Sequence, residues 1–436
     1  MNSQPATPHV VIVGGGFGGL YAARSLRRAP VQVTLIDKRN FHLFQPLLYQ
    51  VATGGLSPGN IASPLRAVLK RHRRTRVLLA EVTDIDLARR RVTLHHREEI
   101  SYDCLIVASG ADNDYFGHEE WRHTAPGLKT VEDAVEIRRR ILTAFEAAEM
   151  ETDLQRRRSW LTFVVVGSGA TGVELAGALA EIAHYTLRRD FRAINPAEAR
   201  ILLVEGADRV LPAFPPSLSH EARKSLEKLG IEVRSRTKVL QVEPDGVTLE
   251  TEGRQELIDA GTILWAAGIT ASPLGRLLVQ GNTDLLDDKG RVIVEPDLTL
   301  PGHPEVFVIG DLANCSHRAA QPLPMLAPVA MQQGRYVARL IARRLQGKQA
   351  KPFHYRDKGT LATIGRAAAV GFFGKLHVSG YTAWLLWLFV HLMYLVEFEN
   401  RLLVFFQWAW NYFTRNRGAR LITGRWPQLP PGHQEK

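Results

Sequence analysis

His9-Val10-Val11-Ile12-Val13-Gly14-Gly15-Gly16-Phe17-Gly18-Gly19-Leu20 is the stretch that decides the fold. An apolar, β-branched run leads directly into a G-x-G-x-x-G spacing, and a helix-compatible sequence follows. In that setting the glycines serve a tight turn, a close backbone approach to a pyrophosphate and close helix–strand packing. The next apolar run, Thr34-Leu35-Ile36, ends in Asp37. An acid about 20 residues after the loop accepts a hydrogen bond from a ribose hydroxyl. The first loop therefore reads as a dinucleotide site built from Gly14, Gly16, Phe17, Gly18, Gly19, Asp37 and Lys38.

The same signal occurs twice. Leu161-Thr162-Phe163-Val164-Val165-Val166 runs into Gly167-Ser168-Gly169-Ala170-Thr171-Gly172, and Ile201-Leu202-Leu203-Val204 ends in Glu205. Each half then has an apolar strand ending in Ala-x-Gly: Ala108-Ser109-Gly110 in the first, Ala266-Ala267-Gly268 in the second. Offsets of 153, 168 and 158 residues keep the three elements in one order with loops of different length. Two dinucleotides in one chain imply FAD and a nicotinamide nucleotide. Glu205 favours a free 2′-hydroxyl over a 2′-phosphate, hence NADH. The NADH set is Gly167, Gly169, Thr171, Gly172, Glu174, Glu205, Ala267 and Gly268.

A third strand, Val306-Phe307-Val308-Ile309, ends in Gly310-Asp311. It assigns the flavin to the first loop, with Ala108, Gly110, Gly310, Asp311 and Ala327 completing the FAD set. A helix is expected from Pro328 to about Leu345, because proline suits a first helical turn. Its positive end favours an anionic reduced flavin. Glu174, early in the helix after the second loop, is a candidate for positioning cofactor or assisting proton transfer. Gln332 and Gln333, one turn into the Pro328 helix, are candidates to hydrogen-bond an acceptor's carbonyl, and no metal is expected.

Composition narrows the rest. An apolar share of 45% in 436 residues permits large cores and two or three domains. Cys104 and Cys315 form no paired motif, which argues against a disulfide framework, a zinc site or a redox dithiol. No secretory signal is evident, so a cytoplasmic orientation is expected. The net charge of +11 comes with no nucleic-acid motif; it reads as solvated helix faces or as attraction to an anionic membrane surface or to dinucleotides. Five of the eight tryptophans lie between Trp384 and Trp426, which suggests a membrane interface. The stripe Asn400, Gln407, Asn411 and Arg415 has helical spacing. It predicts an amphipathic helix lying in that interface, with Arg415, Arg417 and Arg420 meeting lipid phosphates.

These residues resemble the type II NADH dehydrogenases, single-subunit flavoprotein NADH:quinone oxidoreductases that are peripheral to the membrane and pump no protons. The specific stretches are Phe44-Gln45-Pro46-Leu47-Leu48-Tyr49-Gln50-Val51-Ala52 and the tail Leu386-Trp387-Leu388-Phe389-Val390-His391 with Arg417-Gly418-Ala419-Arg420-Leu421-Ile422. The resemblance implies FAD in the first half, NADH in the second and a membrane quinone as acceptor. It also implies a peripheral site on the cytoplasmic face of the inner membrane. The family's quinone motif, A-Q-x-A-x-Q, is met by Ala327, Ala330 and Gln332, with Pro328 in place of the first glutamine. Glu397 and Glu399 stand where relatives tend to carry Gly and Arg, which implies weaker attachment to anionic lipid.

The expected fold is α/β, with two Rossmann-like dinucleotide-binding domains, the second inserted in the first. Residues 1–120 and 288–345 form the FAD domain, 121–287 the NADH domain, and 346–436 a membrane-associating helical region. A homodimer stays open. The alternatives on this scaffold are a sulfide:quinone oxidoreductase, a ferredoxin-type reductase and a flavin-bearing redox sensor without turnover.

Overall fold

The computed structural model describes residues 7–316 and 321–424. Trp426, included in the tryptophan count above, lies outside them. Contacts divide the chain into two units that interleave in sequence. The first comprises described residues within 1–43, 62–112 and 269–356; the second comprises those within 44–61, 113–268 and 357–436. The stretch at 44–52 thus belongs with the NADH half and the C-terminal region, whereas the expected boundaries place it in the FAD domain.

In the first unit a six-stranded sheet is ordered Thr299–Leu300, His303–Val308, Cys104–Val107, His9–Val13, Gln32–Asp37, Thr75–Leu79. All neighbours are parallel except the short edge strand Thr299–Leu300. Val10, Val11 and Ile12 are fully buried, as expected of a parallel sheet covered on both faces. The helix Phe17–Ser25 leaves the first loop and packs on the helix Ala327–Arg344. They touch backbone to backbone, since a Cβ at Gly334 would sit 2.3 Å from Gly18 O. Pro328 occupies the first turn of its helix, as expected.

In the second unit a four-stranded parallel sheet is ordered Ile231–Arg234, Arg200–Val204, Thr162–Val166, Thr262–Trp265. The repeat holds down to single hydrogen bonds. Gly14 N–H donates to Ile36 O and Gly167 N–H to Val204 O, both at 2.8 Å. Ala108 N–H donates to Val13 O at 2.8 Å and Ala266 N–H to Val166 O at 2.7 Å. Each half also carries a three-stranded antiparallel meander before its Ala-x-Gly strand, at residues 82–101 and 237–259.

The C-terminal region forms a third meander, Thr360–Thr363, Ala369–Phe373 and Leu376–Ser379, then the helices Gly380–Tyr394 and Phe398–Thr414. Among the described residues no helix is long and apolar enough to cross a membrane. The second helix is amphipathic, as its spacing predicts, with its large apolar residues on the outward face. Asn400 is buried, and Asn411 donates to Gly55 O at 3.1 Å while accepting from Gln407 Nε2 at 2.9 Å. The polar stripe therefore satisfies interior backbone and side-chain groups. Leu402, Leu403, Phe405, Phe406, Trp410 and Phe413 face outward, as do Leu385, Leu386, Phe389 and Met393 of the preceding helix.

Candidate functional site

The first loop has the shape a dinucleotide requires. Gly14 adopts a left-handed φ of +104°, and a Cβ there would meet Ala108 O at 2.3 Å. A Cβ at Gly19 would lie 1.8 Å from Gly14 O. At Gly16, in contrast, a Cβ would find no protein atom within 4 Å. Gly16 also N-caps the following helix with no side-chain cap, so the helix dipole and its first N–H groups meet open space in front of the loop. Asp37 accepts from Gly15 N–H at 2.5 Å and from Arg39 N–H at 2.7 Å. Burial raises its carboxyl above the ordinary value, against the pull of those two donors. Lys38 is exposed beside it.

Three buried polar atoms around this loop have no partner: His42 Nε2, Ser109 Oγ and Gln333 Nε2. His42 donates from Nδ1 to Gly15 O at 3.0 Å, and burial lowers its pKa to about 4, so its Nε2 is a bare acceptor. Unpartnered buried polar groups are costly, and a bound FAD would supply partners for them. The residues present fit that group.

The second loop repeats the geometry. Gly167 has φ +94°, a Cβ at Gly172 would meet Gly167 O at 1.8 Å, and a Cβ at Gly169 would meet nothing within 4 Å. Thr171 is exposed beside Gly169. Glu205 accepts from Ser168 N–H at 2.8 Å, Ser168 Oγ at 2.6 Å and Ala207 N–H at 2.9 Å. The ends of the three Ala-x-Gly and Gly-Asp strands share one turn, with φ near +74° at Gly110, Gly268 and Gly310. Ala267 borders the loop, its Cα 2.7 Å from a Cβ built at Gly167.

Glutamines 332 and 333 hold positions that the sequence did not foresee. Gln333 is buried, and its Oε1 accepts from Gly310 N–H at 2.6 Å, tying the helix to the Gly310-Asp311 turn. Ala330, one turn earlier, packs against the same glycine, while Ala327 begins the helix. Gln332 spends its amide on one residue: Nε2 donates to Arg356 O at 2.9 Å and Oε1 accepts from Arg356 N–H at 3.1 Å. One amide hydrogen and one oxygen lone pair of Gln332 stay uncommitted by these two bonds.

Glu174 lines a cavity of about 430 Å³ within the second unit. Of its lining, Tyr49, Glu174, Thr363, Trp387 and Trp408 are buried, Trp384, Asn411 and Tyr412 are half-buried, and Tyr185, Arg366 and Arg415 are exposed. Glu174 accepts from Thr363 N–H at 3.3 Å. Burial drives its pKa up to about 8, only partly opposed by that N–H and by the nearby Trp387 indole. The indole makes no well-formed hydrogen bond. The wall is braced from far along the chain: Trp408 Nε1 donates to Gln50 Oε1 at 2.7 Å, and Gln50 Nε2 donates to Tyr49 OH at 3.0 Å. Trp387 stacks on His391 with ring centroids 4.3 Å apart.

Two of the three arginines expected to meet lipid phosphate are otherwise engaged. Arg417 pairs with Glu181 at 2.6 Å and donates to Thr53 Oγ1 at 2.7 Å, while Arg420 pairs with Asp190. Arg415 is exposed and lies over the Tyr185 ring at 4.5 Å. The sequence reading missed Tyr49, Gln50, Trp387 and Trp408 as cavity residues. The signal was present in the 44–52 stretch and in the polar stripe, two of whose residues, Asn411 and Arg415, line the cavity.

The pyridine nucleotide-disulphide oxidoreductase family matches residues 8–334, and the NDH2 C-terminal domain matches residues 358–416. Type II NADH:quinone oxidoreductase NdhA of Mycobacterium tuberculosis is 48% identical over 425 residues, covering 95% of this chain and 89% of that one. The chain belongs to the type II NADH:quinone oxidoreductase family. Ndh of the same organism is 45% identical over 97% of this chain and 92% of its own length. The fold matches the structure of NDH2 from Plasmodium falciparum in complex with NADH, with a TM-score of 0.86 at 20% identity, covering 94% of this chain and 99% of that one. A sulfide:quinone oxidoreductase from Aquifex aeolicus shares the scaffold with a TM-score of 0.71 at 18% identity, covering 95% and 92% of the two chains. Here both cysteines are free thiols, and burial raises their pKa values, that of Cys104 to about 11.

Proposed function

We infer that this chain oxidises NADH and reduces a membrane quinone, without pumping protons. Its 48% identity to a type II NADH:quinone oxidoreductase across nearly the whole chain carries that reading. FAD, when bound, would supply the two-electron redox chemistry between nicotinamide and quinone. Gly14, Gly16, Gly19 and Asp37 would hold it, with His42, Ser109 and Gln333 offering polar atoms to it. Gly167, Gly169, Gly172 and Glu205 would hold NADH through its pyrophosphate and ribose.

The balanced reaction, NADH + H⁺ + quinone → NAD⁺ + quinol, consumes one proton from solution. Glu174 retains a proton at neutral pH because burial favours its neutral form. Its place in an aromatic cavity fits the work of passing that proton to a reduced quinone. The flat walls of Trp384, Trp387 and Trp408 suit a planar ring. This cavity is a second candidate for the quinone contact beside Gln332.

The outward apolar face of the two C-terminal helices supports peripheral attachment to lipid. The net charge of +11 and the exposed Arg415 favour an anionic surface. Stopped-flow absorbance tests the reading. NADH bleaches the flavin of the holoprotein, and a short-chain quinone restores its colour. Failure of either half-reaction rejects the assignment.

A further inference from the structure

Residues 15 and 168 are second in their respective loops, and they differ. A Cβ at Gly15 would sit 2.6 Å from Leu65 Cδ1 and 3.2 Å from Asp37 Oδ2, so a side chain there would have to displace Leu65. The second loop carries a fully buried serine at this point. Its hydroxyl and its backbone N–H both donate to Glu205 Oε2, at 2.6 and 2.8 Å, and Ala207 N–H takes Oε1 at 2.9 Å. Asp37 accepts from two backbone donors, Gly15 N–H and Arg39 N–H.

A carboxylate offers about four lone-pair positions. Asp37 keeps two of them for a ligand, and Glu205 keeps one, on Oε1. Glutamate also has one more rotatable bond than aspartate, so it needs an additional anchor to hold one orientation. A hydroxyl bonded to a charged carboxylate supplies a strong one.

We propose that Ser168 is a positioning residue for nicotinamide nucleotide selectivity: its hydroxyl locks Glu205 so that the free lone pair meets a ribose 2′-hydroxyl and the charge cannot swing away from a 2′-phosphate. The proposal rests on Glu205 as the ribose acceptor. Selectivity here combines an attractive contact for NADH with a fixed repulsion of NADPH.

The test compares kcat/KM for NADH and NADPH with quinone in the holoenzyme, in Ser168→Ala and in Ser168→Gly, the latter carrying the residue the first loop tolerates. The NADH-to-NADPH ratio falls about tenfold, the scale of one hydrogen bond to a charged group. For NADH the change appears in KM, with kcat retained. Glu205→Ala lowers the ratio at least as far, and adding Ser168→Ala to it lowers the ratio no further. An unchanged ratio in both Ser168 variants overturns the proposal, as does an undiminished fall on the Glu205→Ala background. If Glu205→Ala itself leaves the ratio unchanged, the ribose reading of Glu205 fails and takes this proposal with it.

Discussion

The carboxyl of Glu174 takes the backbone N–H of Thr363 at 3.3 Å, joining the helix that leaves the second glycine loop to the meander that precedes the C-terminal helices. Burial keeps the acid protonated, and this contact opposes it only in part. Its ordinary pKa of 4.5 rises to about 8. Between those values the unfolded chain releases a proton that the native chain keeps. Stability therefore falls as pH rises from about 4.5 to 8, by at most about 1.4 kcal/mol per pH unit, and levels off above. Glu174→Gln lacks this slope. Thermal unfolding from pH 5 to 9 shows the variant gaining on the parent up to about pH 8; a constant gap rejects the raised pKa. In rapid mixing the variant keeps flavin reduction by NADH and slows reoxidation by quinone about a hundredfold.

The two glycine types within one loop predict different failures. Gly172→Ala places a Cβ against Gly167 O, so it lowers the unfolding temperature and impairs NADH use together. Gly169→Ala meets no protein atom. It leaves the unfolding temperature within a degree or so of the parent, on the scale of surface substitutions, and raises KM for NADH by crowding the pyrophosphate. Equal thermal losses in the two variants contradict this division.

Gln332→Ala removes the paired hydrogen bonds to Arg356. The expected cost is about 1–2 kcal/mol of stability, measured by denaturant unfolding, with faster proteolysis near Arg356. KM for quinone stays unchanged if the cavity is the contact. A raised quinone KM with unchanged stability assigns the contact to Gln332.

Phe406 is among the most exposed large apolar residues, 66% accessible on the outward helix face. Phe406→Asp weakens flotation with neutral and anionic vesicles alike, about tenfold, because apolar burial is lost. Glu399→Arg strengthens binding on anionic vesicles alone, by on the order of 1 kcal/mol, and salt abolishes the gain. Unaltered flotation of both variants removes these helices from the attachment surface.

Much of the nucleotide-binding framework was legible in the chain because its determinants are local. Valine runs favour buried parallel strands, and the turns after them demand glycine where a left-handed φ and a backbone contact coincide. The acid at each strand end follows from sheet order. The cavity was not legible. Tyr49 and Gln50 lie in a short apolar stretch that reads like core, and only packing brings Trp387 and Trp408 to them. The direction of the polar stripe on Phe398–Thr414 was equally hidden, since helical spacing defines a face without saying what covers it.

The sequence by itself determined two dinucleotide loops, their acids and their order, because each motif is closed within a few dozen residues. Tertiary structure decided how the remaining polar groups are spent. Gln332 went to Arg356, Gln333 to Gly310, Arg417 to Glu181, and Trp408 to Gln50, 358 positions away. A hydrogen bond satisfies whichever partner folding brings within about 3 Å, and spacing along the chain carries no record of that choice.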